Sequence, residues 1–277
     1  MNAFVPLPAL LAVAAIAGLD CLSVAACAEE ASAWSKDSHS AVRLLAGSRN
    51  GAVLLGGIEF ELQDGWKTYW RTPGDSGVPP RIDFSKSENI ESVTPLFPAP
   101  TKFPDGAGGV SYGYQKHIIL PLRIVPKNAD KPVTLRATID YAICERLCLP
   151  VDASLELGFA DAVSAMDTEL AGALNTVPKP AEIGDGPFGI REVKRDGNRV
   201  LVDVAKPQSG HVELFVEGPS PSWSLPEPRP EDHAPEGLAR FAFDLEGLPP
   251  GAKAEGAALK FTLVGRDAAY EYNVNLN

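Results

Sequence analysis

The sequence predicts an all-β protein made of two tandem β-sandwiches joined by a short helix and a linker. Three observations carry that prediction. Apolar residues recur at every second position in many short runs, clusters of turn residues separate those runs, and only one segment of the 277 residues switches to helical spacing. A chain of this length can bury two separate cores. Its 25 Gly and 25 Pro are spread along the sequence rather than massed in one tract, as in a globular protein.

Four segments follow from this reading: a leader at 1–28, a first sandwich at 29–160, a short helix and linker at 161–182, and a second sandwich at 183–277. The leader is apolar and Ala-rich from Phe4 to Leu19, and Ala26-Cys-Ala28 offers an A-x-A cleavage site before Glu29. It reads as a secretory signal peptide. Val24-Ala-Ala-Cys27 also has the form of a lipobox, so a lipid-anchored terminus at Cys27 is the competing reading. Pro6, Pro8 and Asp20 interrupt the apolar run, and nothing later in the chain approaches the length of a membrane span.

In the first sandwich, apolar runs at 41–45 and 52–62 flank Ser48-Arg-Asn-Gly51, where Asn-Gly between strands signals a hairpin. A strand with Trp66, Thr68 and Trp70 on one side follows and runs into the turn-rich loop 71–80. Shorter strands are expected at 81–84, 90–97 and 118–125, with a Gly/Pro-rich loop at 98–113. The run 133–143 places Val133, Leu135, Ala137, Ile139, Tyr141 and Ile143 on one face, and 154–159 alternates again. Between them lie Cys144 and Cys148.

The middle segment places Val163, Met166, Leu170 and Leu174 at helical spacing and stops in Asn175-Thr-Val-Pro-Lys-Pro180, a natural linker. Strands then resume at 188–194 and 199–206 around Asp196-Gly-Asn198, and at 211–217, 240–245, 258–265 and 269–276. Residues 219–237 are Pro-rich and read as a long loop. No residue pattern in this half suggests chemistry.

A formal charge of -11 argues against nucleic-acid binding, which needs clustered Lys and Arg to neutralise phosphates. The four cysteines sharpen the search further. Cys21 and Cys27 fall in the leader, so in an oxidising compartment Cys144 and Cys148 have only each other. Cys144 ends a strand, three residues make a tight connection, and the thiols can face each other across the mouth of a hairpin within disulfide distance.

Such a pair admits three readings. As a staple it closes a five-residue loop, worth about 2 kcal/mol in the chain-entropy account, which a protein of this size hardly needs. As a metal site it offers two thiolates, enough for Cu(I) but not for tetrahedral zinc; His117 is the nearest histidine in sequence, and nothing in the sequence brings it to the thiols. As a redox dithiol it needs only proximity, one exposed sulfur and tuning, for which Arg146 would favour the thiolate and Glu145 oppose it. Chemistry alone ranks redox first, the staple second and copper third, and leaves all three open.

The segment Tyr141-Ala-Ile-Cys-Glu-Arg-Leu-Cys-Leu-Pro-Val151, with Ala153-Ser-Leu-Glu-Leu157, resembles the active-site segment of the periplasmic amino-terminal domain of DsbD- and ScsB-type thiol-disulfide interchange reductases. Gly65-Trp-Lys-Thr-Tyr-Trp-Arg-Thr-Pro-Gly-Asp-Ser-Gly-Val-Pro-Pro80, Tyr112-Gly-Tyr114 and Ile119-Leu-Pro-Leu122 are similar to the ScsB-like branch, in the same order. The resemblance covers roughly 40–159. It implies an immunoglobulin-like sandwich rather than a thioredoxin fold, a periplasmic location, and a cysteine pair that relays electrons without a cofactor. A membrane-embedded thiol reductase would donate the electrons and periplasmic thioredoxin-like proteins would accept them. The resemblance further implies Cys148 as the attacking sulfur, Cys144 as the resolving one, and an aromatic cap drawn from Tyr112 and Tyr114. Two departures stand out: the best-known DsbD domains space their cysteines by five residues rather than three, and this sequence shows neither a transmembrane reductase segment nor a thioredoxin-like domain, so separate partners are expected. Trp66, Trp70 and Tyr141 are read first as core residues, and the loop 71–80 as either a surface loop or a wall of the approach to the cysteines.

Overall fold

The computed structural model describes Met1 and residues 29–104, 108–159, 163–206 and 210–277. The expected leader therefore lies outside the described residues, apart from Met1. Nineteen strands and one helix follow along the described chain: β1 (Ser35–Lys36), β2 (Ser40–Asn50), β3 (Val53–Leu62), β4 (Lys67–Gly74), β5 (Arg81–Asp83), β6 (Ile90–Pro95), β7 (Thr101–Pro104), β8 (Val110–Gln115), β9 (His117–Pro126), β10 (Val133–Cys144), β11 (Cys148–Phe159), α1 (Asp167–Asn175), β12 (Lys179–Pro180), β13 (Gly189–Asp196), β14 (Arg199–Ala205), β15 (Glu213–Glu217), β16 (Arg229–Glu231), β17 (Leu238–Asp244), β18 (Ala258–Val264) and β19 (Ala269–Asn275). The protein is mostly β, as the period-2 patterning predicts.

These strands form two sheet pairs. In the first, a five-stranded sheet β1-β2-β3-β9-β6 faces a six-stranded sheet β11-β10-β4-β8-β7, with β5 added alongside β10. In the second, β12-β19-β18-β15 faces β13-β14-β17-β16. All pairings are antiparallel except that of β12 beside β19. Each pair closes on its own core, because every strand sends alternate side chains inward. Val42, Leu44, Ile58, Phe60, Leu120, Leu122, Leu135 and Ile139 fill the first; Val200, Val202, Leu214, Phe261, Leu263 and Tyr272 fill the second.

Four expectations shift in detail. The first hairpin turns one residue later than Asn-Gly: Asn50 pairs with Val53, so Gly51-Ala52 makes the connection, with Gly51 at φ +61°. The segment 98–113 is not one loop but carries the paired strands β7 and β8, whose connection lies partly outside the described residues. Residues 219–237 contain the edge strand β16, which pairs with β17. The helix begins later than the apolar spacing suggested, at Asp167, and Val163 stands 88% exposed instead of on its buried face.

Helix α1 docks through one side chain. Leu170 is fully buried against Leu45 and Ile119, and it fits because Gly47 and Gly57 leave room: a Cβ on either would come 2.7 Å from a Leu170 methyl. Asp167 holds the same joint, accepting hydrogen bonds from the Ser48 amide at 2.8 Å and the Ser48 hydroxyl at 2.7 Å. The Ser48 amide above all, helped by the Ser48 hydroxyl and the Ser164 amide, holds its carboxyl below the usual carboxylate range. A depressed folded pKa means that the stabilisation is complete above the unfolded carboxylate value and is lost as pH falls through the lower folded one. Thermal denaturation from pH 6 down to pH 2 checks this: the gap between the parent and Asp167→Asn is expected to hold at neutral pH and to close in the acid range.

Candidate redox site

The site is built where β10 turns into β11. In β10 the odd-numbered residues up to Ile143 point into the core, so Ala142 and Cys144 point out of the opposite face of the sheet. The antiparallel register then pairs Cys144 with Cys148 directly. Their Cα atoms stand 4.2 Å apart, the spacing of a non-hydrogen-bonded cross-strand pair, and the two sulfurs are bonded as a disulfide. Glu145, Arg146 and Leu147 close the turn, with the Glu145 amide donating to the Leu147 carbonyl.

The two sulfurs differ in access. Cys144 is 4% exposed and packs with Tyr69 and Ala142. Cys148 starts β11, the edge strand of its sheet, and is exposed among Leu147, Leu149 and Pro150, with Leu147 at 76% exposure. An incoming thiol therefore reaches Cys148 first.

Tyr69 completes the arrangement. It lies on β4, which pairs with the end of β10 through Ile143 with Thr68 and Cys144 with Lys67. Tyr69 thus shares the outer face with the cysteines, and its hydroxyl stands 3.2 Å from Cys148 Sγ. Burial holds its phenol above the ordinary tyrosine value, so the group keeps its proton and serves as a donor to sulfur. Lys67 occupies the row of Cys144 and turns its ammonium to the Ser111 hydroxyl at 2.9 Å. Neither Tyr69 nor Lys67 was singled out from sequence. Parity would have found both, since they alternate with the core-facing Thr68 and Trp70, but only once β4 is known to neighbour β10.

The other expected site residues fall as follows. Tyr112 is buried and meets Phe215 edge-on at 4.8 Å, while the buried Tyr114 donates from its hydroxyl to the Pro98 carbonyl at 2.8 Å. Both project inward from β8, so the aromatic hydroxyl beside the sulfur is that of Tyr69. The exposed Glu145 leans toward Gly65, and no hydrogen bond or ion pair engages the exposed Arg146 among the described residues. His117 lies on β9, its Nε2 2.8 Å from Glu59 Oε1. Of the core candidates, Trp70 is fully buried, Tyr141 is buried with its hydroxyl 2.8 Å from that of Ser40, and Trp66 is half-buried, stacked on His39. The segment expected as a loop at 71–80 is strand up to Gly74, the end of β4; Gly77 lies against the Tyr69 ring, while Arg71 and Thr72 reach away to Glu217 on β15. Among the described residues, no cluster of three or more His, Cys, Asp or Glu could hold a metal ion.

Gly113 lets β8 approach β4 behind Tyr69. A Cβ there would stand 1.9 Å from the Thr68 carbonyl oxygen, a backbone atom that cannot rotate away. Gly113→Ala is expected to cost about 3 kcal/mol or more, at the upper end for overpacking, and circular dichroism melts check it as a lower midpoint.

With the geometry in place, comparison with known proteins is informative. A family model described as thiol:disulfide interchange protein DsbD, N-terminal, matches residues 40–160, the segment that holds both cysteines and Tyr69. The crystal structure of the N-terminal periplasmic domain of ScsB from Proteus mirabilis is similar with a TM-score of 0.72 at 21% identity, over 90% of this chain and 98% of that one. That likeness extends over both sheet pairs and shows a common fold. A marsupial T cell receptor also matches, over 88% of this chain and 99% of its own, but at a TM-score of 0.24 and 10% identity, which bears no weight. No curated protein matches the chain. No helix among the described residues is long and apolar enough to cross a membrane. Over residues 40–160 this chain is thus similar to the DsbD N-terminal domains of thiol:disulfide interchange proteins.

Proposed function

We propose that this protein is a periplasmic thiol-disulfide relay whose Cys144–Cys148 pair takes electrons from a membrane-embedded thiol reductase and passes them to thioredoxin-like proteins. One observation carries the reading: a buried sulfur bonded to an exposed one on an outward-facing hairpin, with a phenol hydroxyl at the exposed sulfur. The family match over residues 40–160 supports thiol-disulfide interchange as the chemistry, and the likeness to the ScsB domain supports the periplasm. The first sheet pair is read as an immunoglobulin-like domain that carries the site and the second as its companion, with α1 and β12 spanning the join.

The relay needs no cofactor. A donor thiolate attacks Cys148 Sγ; the S–S bond breaks, and Cys144 leaves as a thiolate that takes up a proton. A second donor thiol attacks the mixed disulfide, leaving the donor oxidised and the pair reduced by two electrons. In the forward half, the Cys148 thiolate attacks an acceptor disulfide, and Cys144 then attacks Cys148 Sγ, releasing the acceptor as a dithiol and restoring the disulfide. The Tyr69 hydroxyl, donating to sulfur, favours the thiolate at Cys148 in both halves.

The reduction potential tests this. Equilibration with dithiol buffers followed by thiol trapping is expected to place the pair above about -300 mV, among exchangeable disulfides. A value well below that range would mark a structural bond and overturn the relay.

A further inference from the structure

The second sheet pair has no chemistry of its own in the sequence, yet it grips the strand that carries Tyr69. In the sheet β12-β19-β18-β15, one face makes the second core. Side chains directly opposite each other in a ladder share a face, so the register places Phe215, Thr262 and Glu271 in one row of the other face and Glu217 with Lys260 in the next. That face meets the first sheet pair. Phe215 enters the first core, edge-on to Trp70 at 5.7 Å and to Tyr112 at 4.8 Å.

Arg71 is the other half of this joint. Its Nε and Nη2 form a fork on Glu217 at 2.9 and 2.7 Å, and Nη2 also reaches Glu271 at 2.6 Å. Thr72 donates to Glu217 at 2.8 Å, and Lys260 stands 3.1 Å from Glu271, so two cations balance two carboxylates. Burial works against the Arg71 charge, but Glu217 and Glu271 outweigh it and hold the guanidinium above its ordinary value. The Arg71 guanidinium lies over the Trp70 ring, 4.6 Å from its centroid.

The ladders explain why this matters at the cysteines. Strand β4 pairs with β10 only through Lys67 and Thr68, and its ladder with β8 breaks between Tyr69 and Gly74. Residues 70–73 therefore have no ladder partner among the described residues. Besides the buried Trp70, what ties the strand just past Tyr69 is Arg71 and Thr72 on the second sheet pair.

We infer that Arg71, Glu217 and Glu271 are positioning residues for the redox site: by clamping β4 to the second sheet pair they hold the Tyr69 hydroxyl against Cys148 Sγ. This assigns the second half a part in setting thiolate character. It rests on the relay reading for its purpose, though not for its measurement. A hydrogen bond to sulfur is short and directional, so a slight release of β4 weakens it, and only Trp70 stands between Tyr69 and Arg71 in the chain.

The test is the pH dependence of iodoacetamide alkylation of the reduced full-length protein, in which Cys148 is the exposed thiol. Tyr69→Phe is expected to shift the thiolate titration upward and to slow alkylation at least threefold at a fixed pH below the midpoint. Arg71→Ala is expected to do the same, and Arg71→Lys, a point charge without the fork, to fall between parent and alanine. In the Tyr69→Phe background, Arg71→Ala is expected to add nothing, because its effect runs through the lost hydroxyl. Arg240→Ala, which breaks the fork on Asp203 within the second sheet pair, is expected to lower the melting temperature while leaving the titration in place. If Arg71→Ala unfolds the chain, Glu271→Gln removes one arm and gives the same readout. An Arg71→Ala or Glu271→Gln protein that melts lower yet alkylates like the parent overturns the inference, as does additivity with Tyr69→Phe. Failure of the relay reading looks different: an unreactive disulfide in dithiol buffers, with the titration of the chemically reduced protein still measurable.

Discussion

Cys148→Ser is expected to reduce the rate at which the reduced protein attacks a model disulfide by about 10³-fold or more, the scale of losing a nucleophile from a site that works as a unit. The physical reason is access. Cys144 is buried behind Tyr69 and Ala142, so without Cys148 no thiol faces solvent on the hairpin. The fold survives, since the disulfide closes a five-residue loop worth about 2 kcal/mol, a fall of roughly 4–8 °C in melting temperature for a chain of this size. Cys144→Ser behaves differently: Cys148 still attacks, but nothing resolves the product, and the mixed disulfide accumulates. Stopped-flow kinetics with an aromatic disulfide, together with mass spectrometry of the products, separates the two. If Cys148→Ser kept the parent rate while Cys144→Ser lost it, the roles of attacking and resolving sulfur would be reversed.

Phe215→Ala is the substitution with the largest expected effect on stability. The ring belongs to a strand of the second sheet pair but is buried in the core of the first, among Trp70 and Tyr112, and Lys102 stands over its face. Removing it costs about 3–5 kcal/mol, the range for a buried phenylalanine whose cavity cannot collapse. That is a large share of the roughly 5–15 kcal/mol that holds a typical protein folded. Because the ring bridges the two cores, the parent is expected to unfold in urea as one transition and Phe215→Ala at a lower midpoint, with the two halves beginning to separate. Trp34, Trp66 and Trp70 report on the first half by fluorescence and Trp223 on the second. An unchanged midpoint would show that the halves stand independently of this contact.

Much of the candidate site was legible because it is local. The alternation of 133–143 ends at Cys144, three residues make a turn, and the cross-strand disulfide follows from pairing the two runs. What stayed hidden depends on neighbours distant in sequence. Tyr112 and Tyr114 looked as suited to shield the sulfur as any aromatic, and they project into the core because β8 sits with that parity beside β4. Tyr69, one residue from the conspicuous Trp70, reaches Cys148 because β4 lies beside β10, a pairing across more than seventy residues that leaves no local mark.

Periodicity and turn chemistry therefore pointed, from the sequence alone, to a mostly β chain with one short helical segment and to a hairpin across whose mouth Cys144 and Cys148 can face each other. Those properties arise from contacts within a few residues or from which face of a strand is apolar. Tertiary structure alone decided which sulfur is exposed, which tyrosine meets it, and that the outer face of β15, β18 and β19 is occupied by the first sheet pair instead of by solvent. Along β15, Glu213, Phe215 and Glu217 alternate with Leu214 and Val216, a pattern that reads as a mostly polar face with one aromatic interruption. That face became an interface because Arg71 on a distant strand supplies the opposite charge and the first core leaves room for the Phe215 ring. Such complementarity belongs to two surfaces at once, and neither stretch of sequence carries it by itself.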